Sequence, residues 1–183
     1  MANICSNVMV IYGPAEDVKN FGEIVKRAHA AEGFFLTELF KLCDYGVKPD
    51  NQAYSVDIDY AYEPDEDGES HIKFYFDTSW TPIYEDIEAF LAAKFPTLKQ
   101  VTLADEFGCG LHVNTDAERR YFKWNYAVSY EREDFGGGDE CFETLDDAES
   151  FFHEQFGADV PFSTSYSSEN GYNYFHVYDY EAM

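Results

Sequence analysis

Basic residues are scarce in this chain: 12 Lys and Arg stand against 36 Asp and Glu among 183 residues, a formal net charge of −24. So acidic a surface repels phosphate backbones and anionic lipid, which argues against direct binding to nucleic acid or membrane. Long apolar runs are missing too. No stretch approaches the roughly 20 apolar residues that cross a bilayer. Met1-Ala2-Asn3-Ile4-Cys5 has neither a basic stretch nor a long apolar run, so no secretory signal is expected. Cysteine is sparse and scattered: Cys5, Cys43, Cys109 and Cys141 show no repeated short pairing. Four reduced thiols in a cytoplasm are the expectation, rather than a disulfide framework. No nucleophile elbow, phosphate loop or dinucleotide-binding glycine pattern occurs. Gly136-Gly137-Gly138 lies between Asp134 and Asp139-Glu140, a poor cradle for phosphate, and reads as a flexible break.

What the chain has in abundance is aromatic: 17 Phe, 15 Tyr and 2 Trp, within a hydrophobic content of 45%. That is enough apolar matter for one generous domain. The acids are unevenly spread. Residues 1–50 carry 7 acids and 5 bases, residues 51–100 carry 11 and 3, and residues 101–130 carry 4 and 3. Residues 131–183 carry 14 acids and a single base, Arg132. Over half of the excess charge therefore falls in the last third.

Periodicity predicts the elements in order. Ile4 to Tyr12 reads as a strand with Val8, Val10 and Tyr12 marking its alternation. A helix follows with Glu16 and Asp17 in its first turn, Val18, Phe21, Val25 and Ala28 inward, and Gly33 as terminator. Phe34 to Leu42 fits either a short helix or a loop plugging the core. Tyr54-Val56-Ile58-Tyr60-Tyr62 alternates with polar residues, and Ile72-Phe74-Phe76 returns as its hairpin partner. Thr81 is a candidate N-cap, with Pro82 at the first position of a helix whose stripe is Ile83, Ile87, Phe90, Leu91 and Phe95. Trp80 is expected to be buried at the corner before it. Lys99 to Glu106 is the next strand. Leu111–Asn114 and Arg119–Arg132 read as a hairpin around Thr115-Asp116. Thr144-Leu145-Asp146-Asp147 resembles a capping box opening a helix that Gly157 closes. A last hairpin joins 160–167 to 172–180 through Glu169-Asn170-Gly171. The pattern predicts an α+β fold: a ferredoxin-like βαββαβ sandwich over 1–108, with an acidic extension over 109–183 on the same mainly antiparallel sheet. The whole is expected to form a single domain.

Three stretches carry a likeness. Asn3-Ile4-Cys5-Ser6-Asn7, Phe76-Asp77-Thr78-Ser79-Trp80-Thr81-Pro82 and Glu106-Phe107-Gly108-Cys109-Gly110 together resemble motifs of the YubB-like ferredoxin-like family. Ile4 stands where the family is expected to have an aromatic, and Ile83 where a second Pro is usual. The resemblance spans about residues 1–115 and leaves the acidic C-terminal third without a counterpart. It implies a ferredoxin-like fold and carriage on phages, plasmids and integrated elements. It implies no catalytic residue.

Metal and catalytic chemistry find little support. Cys109 and His112 have ligand spacing, and Cys141, His153 and His176 are further donors, but a structural zinc site normally shows two such pairs. The run Asp65-Glu66-Asp67-Gly68-Glu69 is too short for a calcium-binding EF-hand loop and reads as an acidic hairpin tip. Asp57 and Asp59 share a strand face with Lys73 opposite, an arrangement more usual for a solvated sheet face than for acid–base work. No cofactor and no catalytic residue are expected. The reading that remains is a non-enzymatic phage or mobile-element protein that binds a basic host protein by imitating DNA, and so inhibits a nucleic-acid-binding or defence system. Its contacts are expected from Glu131, Glu133, Asp134, Asp139, Glu140, Glu143, Asp146, Asp147 and Glu149. A second patch comprises Asp57, Asp59, Glu63, Asp65, Glu66 and Asp67, and Tyr174 and Tyr178 add an amphipathic strand face. The alternatives are a small-ligand or metal-dependent enzyme on the same sheet, or a structural or assembly protein of the element.

Overall fold

The run Val8-Met9-Val10-Ile11 is apolar on both strand faces, so periodicity alone does not choose which face meets the helices. In the computed structural model, which describes residues 3–168 and 171–181, strand β1 (Ile4–Pro14) turns Met9 and Ile11 into the core. Val8, Val10 and Tyr12 share the opposite face by alternation, and Val10 is buried there as well. The fold is mixed α+β, and it clusters into two compact units, Met1–Gly108 and Cys109–Met183.

In the first unit β1 is followed by α1 (Ala15–His29), α2 (Phe35–Leu42), β2 (Tyr54–Ala61), β3 (Glu69–Ser79), α3 (Tyr84–Lys94) and β4 (Lys99–Glu106). The strands lie side by side as β2-β3-β1-β4, each antiparallel to its neighbour. Register sets Met9 against Phe74 and Ile11 against Ile72. Their face packs on Phe21 and Val25 of α1, Leu36, Leu39 and Phe40 of α2, and Ile87, Phe90 and Leu91 of α3. Phe40 and Phe90 stack at 4.7 Å between ring centroids. Burying so many large side chains, each worth about 1.5–3 kcal/mol, is what holds the three helices down. Gly22 of α1 is needed for close approach: a Cβ there would collide with the Tyr62 hydroxyl.

Several expected boundaries move. Phe34–Leu42 is resolved in favour of a helix, because Phe35, Leu36, Leu39 and Phe40 fall on one face at helical spacing. The first helix ends at His29, four residues before Gly33, with the Ala30 N–H closing on the Lys26 carbonyl at 3.1 Å. Tyr54 leaves the apolar face of β2 because a bulge intervenes between Tyr54 and Asp57, with Ser55 at φ +52°. Thr81 and Pro82 do not cap α3. The helix starts at Tyr84, and its N-cap residue Ile83 offers no side-chain bond. The Thr81 carbonyl instead accepts from the Thr78 hydroxyl at 2.8 Å and from Asn51 Nδ2 at 3.2 Å. Trp80 sits at φ +68° and is 50% exposed. A left-handed residue reverses the chain there, so the indole lies outside the core rather than in it.

The second unit holds β5 (Leu111–Asn114), β6 (Tyr126–Arg132), β7 (Gly136–Phe142), α4 (Leu145–Phe156), β8 (Ser165–Ser167) and β9 (Tyr174–Asp179). From Tyr126 onward the strands form a sheet of their own, antiparallel in the order β7-β6-β9-β8. For these four strands the expected continuation on the first sheet is corrected. The reason is a separate core: Val128 and Phe175 meet Ala148 and Phe152 of α4, all fully buried, ringed by Tyr130, Phe151, Phe156, Phe162 and Tyr166. Phe152 alone lies within 5.1–5.5 Å of Phe156, Phe162, Tyr166 and Phe175. Thr144 caps α4 as expected, its Oγ1 accepting from the Asp147 N–H at 3.1 Å and donating to Asp147 Oδ2 at 2.6 Å.

Two further readings change here. Residues 115–125 make a closed loop rather than the arm of a hairpin. Buried Asn114 donates to the carbonyls of Phe122 and Trp124 at 3.0 and 2.9 Å, and Asp116 Oδ2 accepts from the N–H groups of Tyr121 and Phe122. These polar side chains satisfy the backbone that strand pairing would otherwise satisfy. Gly136-Gly137-Gly138 is strand, not a flexible break: all three pair with β6, Gly137 opposite Glu131. In the final hairpin the expected Glu169 and Asn170 lie outside the described residues.

Candidate protein-binding surface

Alternation along the second sheet divides its side chains into two faces. Val128 and Tyr130 of β6 and Phe175 and Val177 of β9 turn toward α4. Ser129 and Glu131 therefore point away from it, as do Tyr174, His176 and Tyr178. Register aligns Asp139, Ser129, His176 and Ser165 in one row across all four strands, and sets Glu131 between Gly137 and Tyr174. The Tyr174 and His176 rings stack at 5.6 Å, and Ser165 Oγ lies 3.1 Å from His176 Nδ1. Asp139, the carboxylate of that row, stands two strands away from the imidazole. Tyr178 is committed to a ring contact with buried His112 at 4.5 Å.

The expected contact acids fall into three groups. Glu131 and Asp139 share the face away from α4. Glu140 lies opposite Val128 and so on the α4 side, near Glu143, Asp146, Asp147 and Glu149 in sequence. Glu133 and Asp134 occupy the turn between β6 and β7. Not all of these carboxylates are unspent. Asp134 takes two hydrogen bonds from Arg132, at 3.0 and 2.7 Å, and that guanidinium holds its carboxyl below the usual range. Asp147 serves the α4 cap, Glu149 lies 3.6 Å from His153, and Glu143 lies a loose 3.9 Å from Lys123.

In the first unit Asp57 and Asp59 stand on the exposed side of β2, roughly 6.8 Å apart by strand rise. Lys73 is the register partner of Asp59, and its ammonium lies 5.1 Å over the Tyr75 ring. Glu63, Asp65, Glu66 and Asp67 are exposed at the hairpin tip. Asp65 is structural there: its Oδ1 accepts from the N–H groups of Asp67 and Glu69, both at 3.0 Å. Cys109 is exposed while His112 is buried beneath Tyr178. Among the described residues, no three of His, Cys, Asp and Glu converge to hold a metal, and no helix is long and apolar enough to cross a membrane.

One feature escaped sequence reasoning altogether. Trp124, Phe142 and Phe151 line a groove of about 410 Å³ that Glu143, Asp147 and Glu154 also border. Asp147, Phe151 and Glu154 recur at helical spacing on α4, a signal available in the sequence. Trp124 comes from the irregular loop, and only tertiary structure brings it there. Compared with protein-family models, with curated proteins and with solved structures, the chain matches none.

Proposed function

We propose that this is a non-enzymatic protein-binding module that covers a basic, nucleic-acid-binding surface on a host protein, acting in the cytoplasm of the cell that hosts its phage or mobile element. The observation that carries the reading is the surface of the second unit. Glu131, Asp139, Glu140 and Asp146 are exposed, and no Lys or Arg follows Arg132 in the chain to balance them. Carboxylates fixed on strands and a capped helix present charge in set positions, as the phosphates of DNA do at one charge per roughly 1.7 Å of duplex axis. Proteins that grip nucleic acid through Lys and Arg are the natural complement. The strand order β2-β3-β1-β4 with its helices on one face supports reading the first unit as a ferredoxin-like scaffold, and the motif resemblance supports carriage on a mobile element.

The test is affinity capture at low salt followed by mass spectrometry and competition. A basic nucleic-acid-binding protein should be retained, released as salt rises past the point where the Debye length falls below about 8 Å, and displaced by duplex DNA. Retention of no such protein, or a complex indifferent to both salt and DNA, refutes the proposal.

A further inference from the structure

We propose that the groove beside α4 is an anchor for a single arginine side chain of a basic polypeptide. The choice of a polypeptide occupant rests on the function proposed above; the choice of arginine rests on the groove alone. Phe142 and Phe151 meet at 5.3 Å between centroids, and Trp124, 36% exposed, adds the largest ring. At about 410 Å³ the space is within the usual range of ligand sites, about 300–1,000 Å³.

Its chemistry is specific. An apolar plug would strip water from Glu143, Asp147 and Glu154 without compensation. A guanidinium satisfies both halves of the site. Its flat face stacks on an aromatic ring, favoured by the ring's quadrupole, while its edge donates paired hydrogen bonds to a carboxylate. Lysine offers a compact, strongly hydrated charge and meets only the second requirement. Glu154 is exposed and enters none of the ion pairs among the described residues, and Glu143 is held only at 3.9 Å by Lys123. Both are available to an incoming cation.

The walls are also fixed before any ligand arrives. Asn114 Nδ2 donates to the Trp124 carbonyl at 2.9 Å, the Asn125 N–H to the Phe142 carbonyl at 3.0 Å, and Asn125 Nδ2 to the Glu143 carbonyl at 2.8 Å. Trp124 and Asn125 of the loop and Phe142 and Glu143 at the end of β7 are thus tied down, so little ordering entropy is left for binding to overcome.

The experiment uses the full chain with Trp80→Phe, which leaves Trp124 as the sole tryptophan. It is titrated with three otherwise identical Gly-rich peptides carrying Arg, Lys or citrulline, by fluorescence and calorimetry. The Arg peptide should shift Trp124 emission saturably, the Lys peptide should bind several-fold more weakly, and the uncharged citrulline peptide should not bind. Glu154→Gln and Glu143→Gln should each weaken Arg-peptide binding by about 10-fold, the scale of one charge-assisted hydrogen bond. Glu88→Gln, an exposed acid on α3 of the first unit, should leave it unchanged. Equal binding of all three peptides, no shift at Trp124, or indifference to both groove substitutions overturns the inference. If the peptides fail while a basic protein is still captured in a salt-sensitive manner, the groove is wrong and the proposed function stands. If the Arg peptide binds as described while no basic protein is captured, the groove stands and the function falls.

Discussion

Replacing Gly137 by Ala separates two opposite accounts of the Gly136-Gly137-Gly138 run. In a flexible linker, Gly→Ala stabilises a protein by about 0.4–1 kcal/mol, because it removes freedom from the unfolded chain. In β7 the same change has nowhere to go. A Cβ on Gly137 would run into the Tyr130 carbonyl oxygen and stand 3.0 Å from Glu131 Cα. Both are backbone of the paired strand, so no side-chain rotation relieves them. Overpacking of this kind costs about 1–3 kcal/mol. Subtracting the unfolded-chain gain leaves a net loss centred on about 1.3 kcal/mol and reaching about 2.6 kcal/mol. Gly138 is the internal control: its nearest neighbour is the end of the Tyr130 side chain at 3.4 Å, so Gly138→Ala should fall within about 0.5 kcal/mol of wild type. Urea unfolding followed by near-ultraviolet circular dichroism reads the difference. With a slope of about 1–3 kcal/mol per molar urea, Gly137→Ala should lower the midpoint by about 0.5–1 M. A midpoint unchanged or raised for Gly137→Ala would refute the pairing of this run with β6.

Three other perturbations test different parts of the molecule. Asn114→Ala strands the buried Phe122 carbonyl, the part-buried Trp124 carbonyl and the Asp116 N–H; at about 1–3 kcal/mol for each buried group left unpaired, it should destabilise by about 2 kcal/mol or more and shift Trp124 emission to the red, and an unshifted spectrum would contradict the pinning of that loop. Gly22→Ala should destabilise in thermal unfolding even though Ala is the better helix former by about 1 kcal/mol, because the new Cβ meets Tyr62; removing the hydroxyl with Tyr62→Phe in the same chain should restore part of the loss. Burial pushes the Cys5 thiol up from 9.0 to about 11, so in thiol labelling at pH 8 exposed Cys109 should react first and Cys5 only on unfolding. The folded state keeps that proton longer than the unfolded one, so the contribution is complete below about pH 9 and is lost as pH rises through about 11; rapid native-state labelling of Cys5 at pH 8 would disprove its burial.

Much of this protein is legible without coordinates. The α+β class, the faces of α1 and α4, the Thr144 cap and the division of β9 into a Phe175 face and a Tyr174 face all follow from local period and capping chemistry, which act over a few residues. The excess of acid after Arg132 is likewise a property of the sequence alone. What tertiary structure decided has a common cause. Val8 to Ile11 is apolar on both sides, so only the helices packed against one of them distinguish the faces. Gly136-Gly137-Gly138 carries no side-chain signal, and its pairing depends on the backbone of β6. Trp124 and Glu154 belong to segments some thirty residues apart, and nothing local marks them as walls of one groove. Trp80 and Pro82 have the local chemistry of a buried corner and a helix start, but Asn51 and Thr78, distant in sequence or across a turn, claim the carbonyl at Thr81 and leave the indole outside. Local propensity chooses an element; the partner that arrives from elsewhere in the chain chooses its face, its ends and its use.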